Sequence, residues 1–188
     1  MDLVGQILDF WFGPSPGAYR KQWFRKDTEF DNQIESRFTD SYWAMLASPL
    51  EPWLKTPKAS LVRILILDQF ARNIFRGTPQ SFAADPLALT TADAAIDQGY
   101  DTQLLPVERL FLYMPFEHSE HLSHQERSVR YFEALILDAP ELAHCLDYAR
   151  RHRDIIAQFG RFPHRNEILG RQSNEAEQAF LQQPGSRF

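Results

Sequence analysis

Signals that begin and end α-helices recur along the whole sequence, and the alternating patterns typical of β-strands are almost absent. Residues that cap helices, or a proline suited to the first helical turn, stand before stretches whose apolar residues follow a helical spacing. Glycines end two of these stretches, at Gly13 and Gly99. Eight helices are predicted from these signals, with starts at Asp2, Asp27, Thr56, Asp85, Pro106, Ser123, Asp138 and Asn174.

The predicted helix ends are marked in different ways. Asp85-Pro86 combines a capping residue with a proline in the first turn, and residues 123–126 and 138–141 fit the capping-box pattern. The fifth helix is expected to break at Pro115, because proline lacks the N–H that a helix interior needs. About eight helices with short connections imply an all-α protein of packed helical hairpins, with residues 1–188 as a single domain.

The composition is that of a folded protein without disulfides or cysteine-based metal clusters. Of the 188 residues, 44% are hydrophobic, enough for a substantial core, and Cys145 is the single cysteine. The net charge of −5 argues against a general binder of nucleic acids or anionic membranes. No apolar run approaches the ~20 residues of a membrane span. The first basic residue is Arg20, so the sequence does not show the basic region that begins a signal peptide. We therefore expect a cytoplasmic protein, and the sequence identifies no cofactor.

The end of the third predicted helix carries a polar patch that continues an apolar face. At ~100° per residue the patch spans roughly 140°, and it comprises Asp68, Gln69, Arg72, Asn73 and Arg76. A simply solvated face would stay polar along its length, so we expect these groups to look into a cleft or a buried network. Asp68 and Arg72 can pair at i,i+4, whereas Arg76 needs a partner from elsewhere in the fold or from a ligand.

A second polar stretch, residues 159–171, contains three arginines, one histidine and one asparagine but a single acid. Just before it, His152 lies on an apolar helix face, where it is either a core histidine or part of a site. If this stretch meets the third helix, their guanidinium groups would form a receptor for an anion, because the guanidinium fork matches carboxylates and phosphates. The sequence does not reveal whether the two stretches meet.

Three histidines recur every third residue, at His118, His121 and His124, and suggest a metal site. The helix start predicted at Ser123 would place His118 in a loop, so the three would not share one helical face as metal-binding pairs do. We therefore expect no metal ion here, although Glu117 and Glu120 are also possible ligands. The roles of His121 and His124 stay open.

Two long motifs stand out, FLYMPFEHSE at residues 111–120 and FGRFPHRNEILGR at residues 159–171. Together with residues 8–13, 67–77 and 152–156, they resemble a mostly bacterial family known only as domain of unknown function 924. The resemblance covers nearly the whole chain, in order. It implies a fold similar to that of tetratricopeptide-like helical proteins, but no reaction.

The sequence departs from that family pattern at two places. Ala71 stands where a proline is expected, so we expect the third helix to be less kinked. His121 and His124 lie outside the family motif, which weakens the hypothesis of a metal site further.

The leading hypothesis is a cleft that binds a small carboxylate or phosphate. Arginines would hold the anion and amides would orient it; these residues are Arg72, Arg76, Arg161 and Arg165, with Gln69, Asn73 and Asn166. If there is chemistry, the candidate acid–base groups are His118, His152 and His164, because histidine titrates near neutral pH. Asp68 or Glu120 would fix the tautomer of that histidine.

Two alternatives remain at this level. One is a module that binds a protein or peptide partner in a tetratricopeptide-like groove, where arginines could clamp a C-terminal carboxylate. The other is a polar network that only joins helices. An enzyme and a non-catalytic receptor for an anion look alike in the sequence.

Overall fold

A computed structural model describes residues 2–15 and 17–186 of the chain. Within these residues the protein has eight helices and no strand, which confirms the prediction of an all-α fold. The helices are α1 (Leu3–Phe12), α2 (Thr28–Ala47), α3 (residues 57–74), α4 (Asp85–Asp97), α5 (Pro106–Glu117), α6 (Leu122–Asp138), α7 (Ala143–Phe159) and α8 (Glu175–Leu181). Short 3₁₀ turns connect several of them, including Pro79–Phe82 before α4 and Pro163–Arg165 after α7.

Four helix starts are capped as the sequence predicts. Asp2 accepts a hydrogen bond from the N–H of Gly5, Asp27 caps α2, and Thr56 caps α3. Asn174 forms a reciprocal capping box with Glu177 at the start of α8. A cap satisfies N–H groups that the first helical turn leaves unpaired, so these local signals fix where the helices begin.

At two other predicted starts, the side chain expected to cap the helix has a distant partner instead. α4 includes Asp85 as its first residue, and the carboxylate of Asp85 binds Arg72 instead of the helix backbone. Asp138 ends α6 and pairs with Arg109, and α7 begins only after the turn Pro140–Leu142. In both cases a charge-assisted bond between helices replaces the expected local cap.

The region between α5 and α6 also differs from the prediction. α5 does not break at Pro115 but continues to Glu117. A proline so close to the helix end removes only one backbone bond near the terminus, which explains why it is tolerated. α6 begins at Leu122, so Ser123 lies inside its first turn and does not cap it.

α3 is the central helix of the fold. It combines α-helix (Pro57–Ile64), a π-helical segment (Leu65–Phe70) and a last α-helical turn (Ala71–Ile74). Residues 60–71 are all buried, because α2, α4 and α5 pack around them. A less kinked helix was expected because Ala71 replaces a proline of the family pattern. The helix is nevertheless not a regular α-helix, because residues 65–70 are π-helical. π segments of this kind are frequent at functional sites, and this one contains Asp68 and Gln69.

Two hydrophobic clusters stabilise the structure. The larger one joins α1 to α7 and is rich in aromatic rings, with Trp11 in contact with Trp23, Phe70 and Phe111. The smaller one is formed by Ile155, Ile156 and Phe162, with Phe159 and Phe180 packed against it. This second cluster anchors residues 160–174, the loop between α7 and α8, against the rest of the protein. None of the described helices is both long and apolar enough to cross a membrane.

Candidate functional site

The two polar stretches of the sequence meet in space. Arg72 of α3 donates to both oxygens of Asp85, at 2.9 and 3.0 Å, and Arg165 of the loop after α7 lies 3.6 Å from the same carboxylate. The end of α5 and one side of α7 complete the assembly. We call it the buried polar cluster, and it consists of Asp68, Gln69, Arg72, Asp85, Glu117, His118, His152, His164 and Arg165.

Asp68 and His118 form a tightly bonded pair at the centre of the cluster. Nδ1 of His118 lies 2.6 Å from Oδ1 of Asp68, and the Asp68 side chain is fully buried. Burial opposes ionisation of Asp68, but Arg72, 3.1 Å away, and His118 together hold the pKa of Asp68 well below its usual range. An ionised carboxylate only accepts hydrogen bonds, so Nδ1 of His118 carries the proton.

His118 is therefore oriented as a base. Burial and the charge of Arg72 lower the pKa of His118, although Asp68 partly offsets them, so the ring is neutral near pH 7. With the proton on Nδ1, Nε2 keeps its lone pair and can accept a proton. Among the described residues, no hydrogen-bond partner contacts that Nε2 atom.

Glu117 and His152 form a second carboxyl–imidazole pair. Here the carboxyl group is protonated, whereas that of Asp68 is ionised. Oε1 of Glu117 lies 3.1 Å from Nδ1 of His152, and that nitrogen also donates to the backbone oxygen of Tyr148 at 2.9 Å. Burial and the charge of Asp68 raise the pKa of Glu117 to about 8, so this carboxyl is largely protonated near neutral pH. Burial lowers the pKa of His152 well below its usual range.

Arg165 has the least satisfied charge in the cluster. Its side chain is only 7% exposed, and its guanidinium carbon lies 4.6 Å from the ring centroid of Phe82 and 4.5 Å from that of Phe162. Its Nε atom is buried without a hydrogen-bond partner among the described residues. Burial and the nearby Arg72 lower the pKa of Arg165 to about 10. A buried donor without an acceptor is costly, so a ligand oxygen that reached Nε of Arg165 would be stabilised there.

His164 follows Phe162 in the same loop, and its ring centroid lies 5.5 Å from that of Phe162. Burial and the charge of Arg165 lower the pKa of His164 to about 4, so it is neutral at physiological pH. Two guanidinium groups, those of Arg72 and Arg165, thus face two carboxylates in the cluster, those of Asp68 and Asp85.

Two residues predicted to bind the ligand join α3 to α2 instead. Asn73 donates to Asp31 at 2.7 Å, and Arg76 binds both oxygens of Asp31 at 2.8 Å. Asp31 is thus the partner that Arg76 was predicted to need. Because these groups are paired across two helices, they are not directed toward the buried polar cluster.

Three further predicted residues hold the loop between α7 and α8. Arg161 binds both oxygens of Glu177, at 2.6 and 2.8 Å, and so attaches α8. Asn166 bonds to Ser173 and Arg171. The carboxylate of Glu120 binds Arg171 at 2.7 and 2.9 Å and accepts the N–H of Phe162, so its contacts hold the loop and do not include a histidine.

Sequence reasoning missed four residues of the site and its surroundings: Asp85, Glu117, Phe82 and Phe162. The first was interpreted as a helix cap and the second only as a possible metal ligand. Glu117 could have been recognised as a site residue from its position beside His118 in the FLYMPFEHSE motif. No local signal marks Phe82 as the ring that stacks on a guanidinium 83 positions later in the chain (165 − 82).

The other histidines of the motif lie outside the cluster. His124 contacts Oγ of Ser119 through Nδ1 at 2.8 Å, and His121 packs beside it. In the part of the chain that the structure describes, no group of three His, Cys, Asp or Glu side chains is arranged to hold a metal ion.

Two surface depressions lie away from the cluster. One, of about 410 Å³, lies between α1 and α2, and the other, of about 260 Å³, lies between α7 and the residues after α8. Neither is lined by a described polar atom that is buried without a partner. The buried polar cluster is therefore the stronger candidate for a functional site.

Comparison with known proteins gives the family and the fold. The family described as a bacterial protein of unknown function (DUF924) matches residues 7–185. The chain is similar to the solved structure of a protein of unknown function from Agrobacterium tumefaciens, with 41% identity, a TM-score of 0.84 and coverage of 96% of this chain and 97% of that one. A search of the curated proteins finds no match.

Proposed function

Because this chain belongs to DUF924, a bacterial family without a known function, its chemistry has to be inferred from the site, and we propose that the buried polar cluster binds a small anionic molecule through Arg165. The ligand is a carboxylate or a phosphate, one oxygen of which would accept the hydrogen bond that Nε of Arg165 lacks. The cluster's histidines lie around the same region and would contact the rest of the ligand.

The unpartnered Nε of Arg165 is the observation that carries this proposal. A guanidinium offers Nε and one terminal nitrogen as a fork that matches two oxygens of a carboxylate or phosphate. The rings of Phe82 and Phe162 both pack against the guanidinium of Arg165 and so restrict its orientation. The nearest acid, Asp85, is 3.6 Å away and already binds Arg72.

Arg72 supports the site through its charge. Its contacts with Asp68 and Asp85 use the hydrogen-bonding capacity that an anion would need. Its positive charge is nevertheless close enough to lower the pKa of Arg165. An anion beside Arg165 would relieve that repulsion, since opposite charges at short range stabilise each other most strongly where water is excluded.

Arg165→Met separates this proposal from a purely structural network. Removing one partner of a well-formed buried ion pair costs about 3–5 kcal/mol. Arg165 is not part of such a pair, because its Nε is unpaired and its nearest acid, Asp85, is 3.6 Å away. We therefore expect the ligand-free variant to melt close to the wild-type temperature. A structural staple would instead lower the stability of the variant by a few kcal/mol.

Ligand binding itself is tested by thermal shift against a library of cellular carboxylates and phosphates. A ligand at 100 times its dissociation constant stabilises the folded protein by about 2.7 kcal/mol, which is a shift of several degrees. The shift should vanish in Arg165→Met and persist in Arg150→Met, because Arg150 lies on the surface in an exposed pair with Glu133. No shift with any compound, together with a destabilised Arg165→Met, would support the structural alternative.

A further inference from the structure

The two carboxyl–imidazole pairs suggest what the site does with its ligand. Building on the proposed function, we infer that Nε2 of His118 removes a proton from the bound anion and that Glu117 supplies one. The ligand class is a small carboxylate with an acidic C–H next to a carbonyl group. The protein would then be an enzyme that transfers protons within such a molecule.

The base half of this inference stands on the geometry of His118. The 2.6 Å bond to Asp68 fixes both the ring orientation and the proton on Nδ1. The other nitrogen, Nε2, has no partner among the described residues, and the side chain is 11% exposed. A neutral imidazole held in this way by a buried carboxylate is the arrangement required of a general base.

The acid half stands on Glu117. Its side chain is 5% exposed, and Nδ1 of the His152 imidazole lies 3.1 Å from its carboxyl group. No arginine or lysine of the described chain lies within ion-pair distance of Glu117, in contrast to Asp68, which Arg72 contacts. Two nearby carboxyl groups with such different surroundings hold their protons differently, which is the condition for an acid and a base in one site.

The ligand anchor and the imidazoles line one region. The Phe162 ring is their common neighbour, because its centroid lies 5.4 Å from that of His152 and 4.5 Å from the guanidinium carbon of Arg165. The rings of His118 and His152 are 6.5 Å apart. In the proposed complex, the carbon atoms next to a carboxylate on Arg165 lie beside these two carboxyl–imidazole pairs.

The chemistry balances without a further reagent. Nε2 of His118 takes the proton from carbon, and the electron pair of that C–H bond forms a carbon–carbon double bond as the carbonyl π electrons move to oxygen. The carbonyl oxygen takes the proton of Glu117, which gives the enol. While the enol is bound, the proton on Nε2 of His118 exchanges with water. When the steps run in reverse, the carbon receives a hydrogen that came from water. No oxidation, reduction or group transfer occurs.

The test uses pyruvate and 2-oxobutyrate in D2O and follows the exchange of their C3 protons by proton NMR. With wild-type protein we expect exchange about a hundred-fold faster than in buffer, within the usual contribution of a positioned acid or base. His118→Gln should remove this acceleration and still bind the probes in the thermal-shift assay. His121→Gln is the matched control, because His121 is exposed outside the cluster, and it should exchange at the wild-type rate.

The outcomes separate the two proposals. Binding of the probes that depends on Arg165, without accelerated exchange, would overturn the acid–base inference and leave the anion site in place. Acceleration that survives in His118→Gln would exclude His118 as the base. Failure of both probes to bind would overturn the inference for this ligand class, while the wider thermal-shift library decides separately on the anion site.

Discussion

The Asp68 carboxylate controls the protonation of the imidazole beside it. It is fully buried, yet Arg72 and His118 keep it ionised. An acceptor without a proton forces His118 to carry its hydrogen on Nδ1. The chemistry proposed for Nε2 thus depends on a residue that would not itself touch the ligand.

Asp68→Asn tests that positioning role directly. The amide of asparagine can donate a hydrogen bond to Nδ1, so we expect the His118 proton to move to Nε2. Nitrogen-15 NMR of the labelled histidine side chains measures this change of tautomer, and the accelerated exchange of pyruvate should be lost with it. An unchanged Nδ1–H tautomer in a folded Asp68→Asn protein would show that Asp68 does not fix the tautomer.

At the scale of helices, Asp31 joins α2 to α3. It accepts from Asn73 and from two nitrogens of Arg76, so three hydrogen bonds connect the two helices at this point. The charge of Arg76 contributes to holding the pKa of Asp31 below its usual value, although burial opposes this. Asn73 and Arg76 thus stabilise helix packing. The hypothesis of a purely structural polar network expected this role for all the polar residues of the third helix.

Asp31→Asn should therefore destabilise the fold without affecting the site. Loss of the charge-assisted pair is expected to cost about 1–2 kcal/mol, because Arg76 is partly exposed and remains solvated. Urea denaturation measures the free energy of unfolding, and Asp40→Asn, on the exposed side of the same helix, is the matched control. Anion binding weakened by Asp31→Asn as strongly as by Arg165→Met would contradict this separation of structural and ligand-binding groups.

For the whole molecule, Glu117 makes stability depend on pH. Its ordinary pKa of 4.5 applies to the unfolded chain, whereas burial and Asp68 raise the pKa in the folded protein to about 8. Between these values the folded state binds one proton more than the unfolded state, so stability falls as the pH rises and levels off above about 8. The slope for one proton cannot exceed about 1.4 kcal/mol per pH unit.

Urea denaturation between pH 6.5 and 8 tests this dependence. Across this range, we expect the free energy of unfolding of the wild-type protein to fall by about 1–2 kcal/mol more than that of Glu117→Gln. Glu126→Gln, an exposed change on α6, should follow the wild type. Parallel curves for wild type and Glu117→Gln would mean that Glu117 is ionised in the folded protein, and the proposed proton donor would be lost.

The sequence by itself determined where most helices start and which neighbours pair within a turn. The caps at Asp2, Asp27 and Thr56 and the contact between Asp68 and Arg72 are local, because they join groups at most four positions apart. Backbone geometry fixes such distances as soon as a helix forms. The all-α class follows from the same local rules.

Only the tertiary structure decided which acid each arginine meets. Asp31 and Arg76 are 45 positions apart, and Glu120 and Arg171 are 51 apart, so no local pattern predicts these pairs. Packing also made Asp85 a partner of Arg72 and not a helix cap. It buried Nε of Arg165 without a hydrogen-bond acceptor. The reason is physical: a periodic sequence fixes a helix, whereas the contacts of a long charged side chain depend on how whole helices lie against one another.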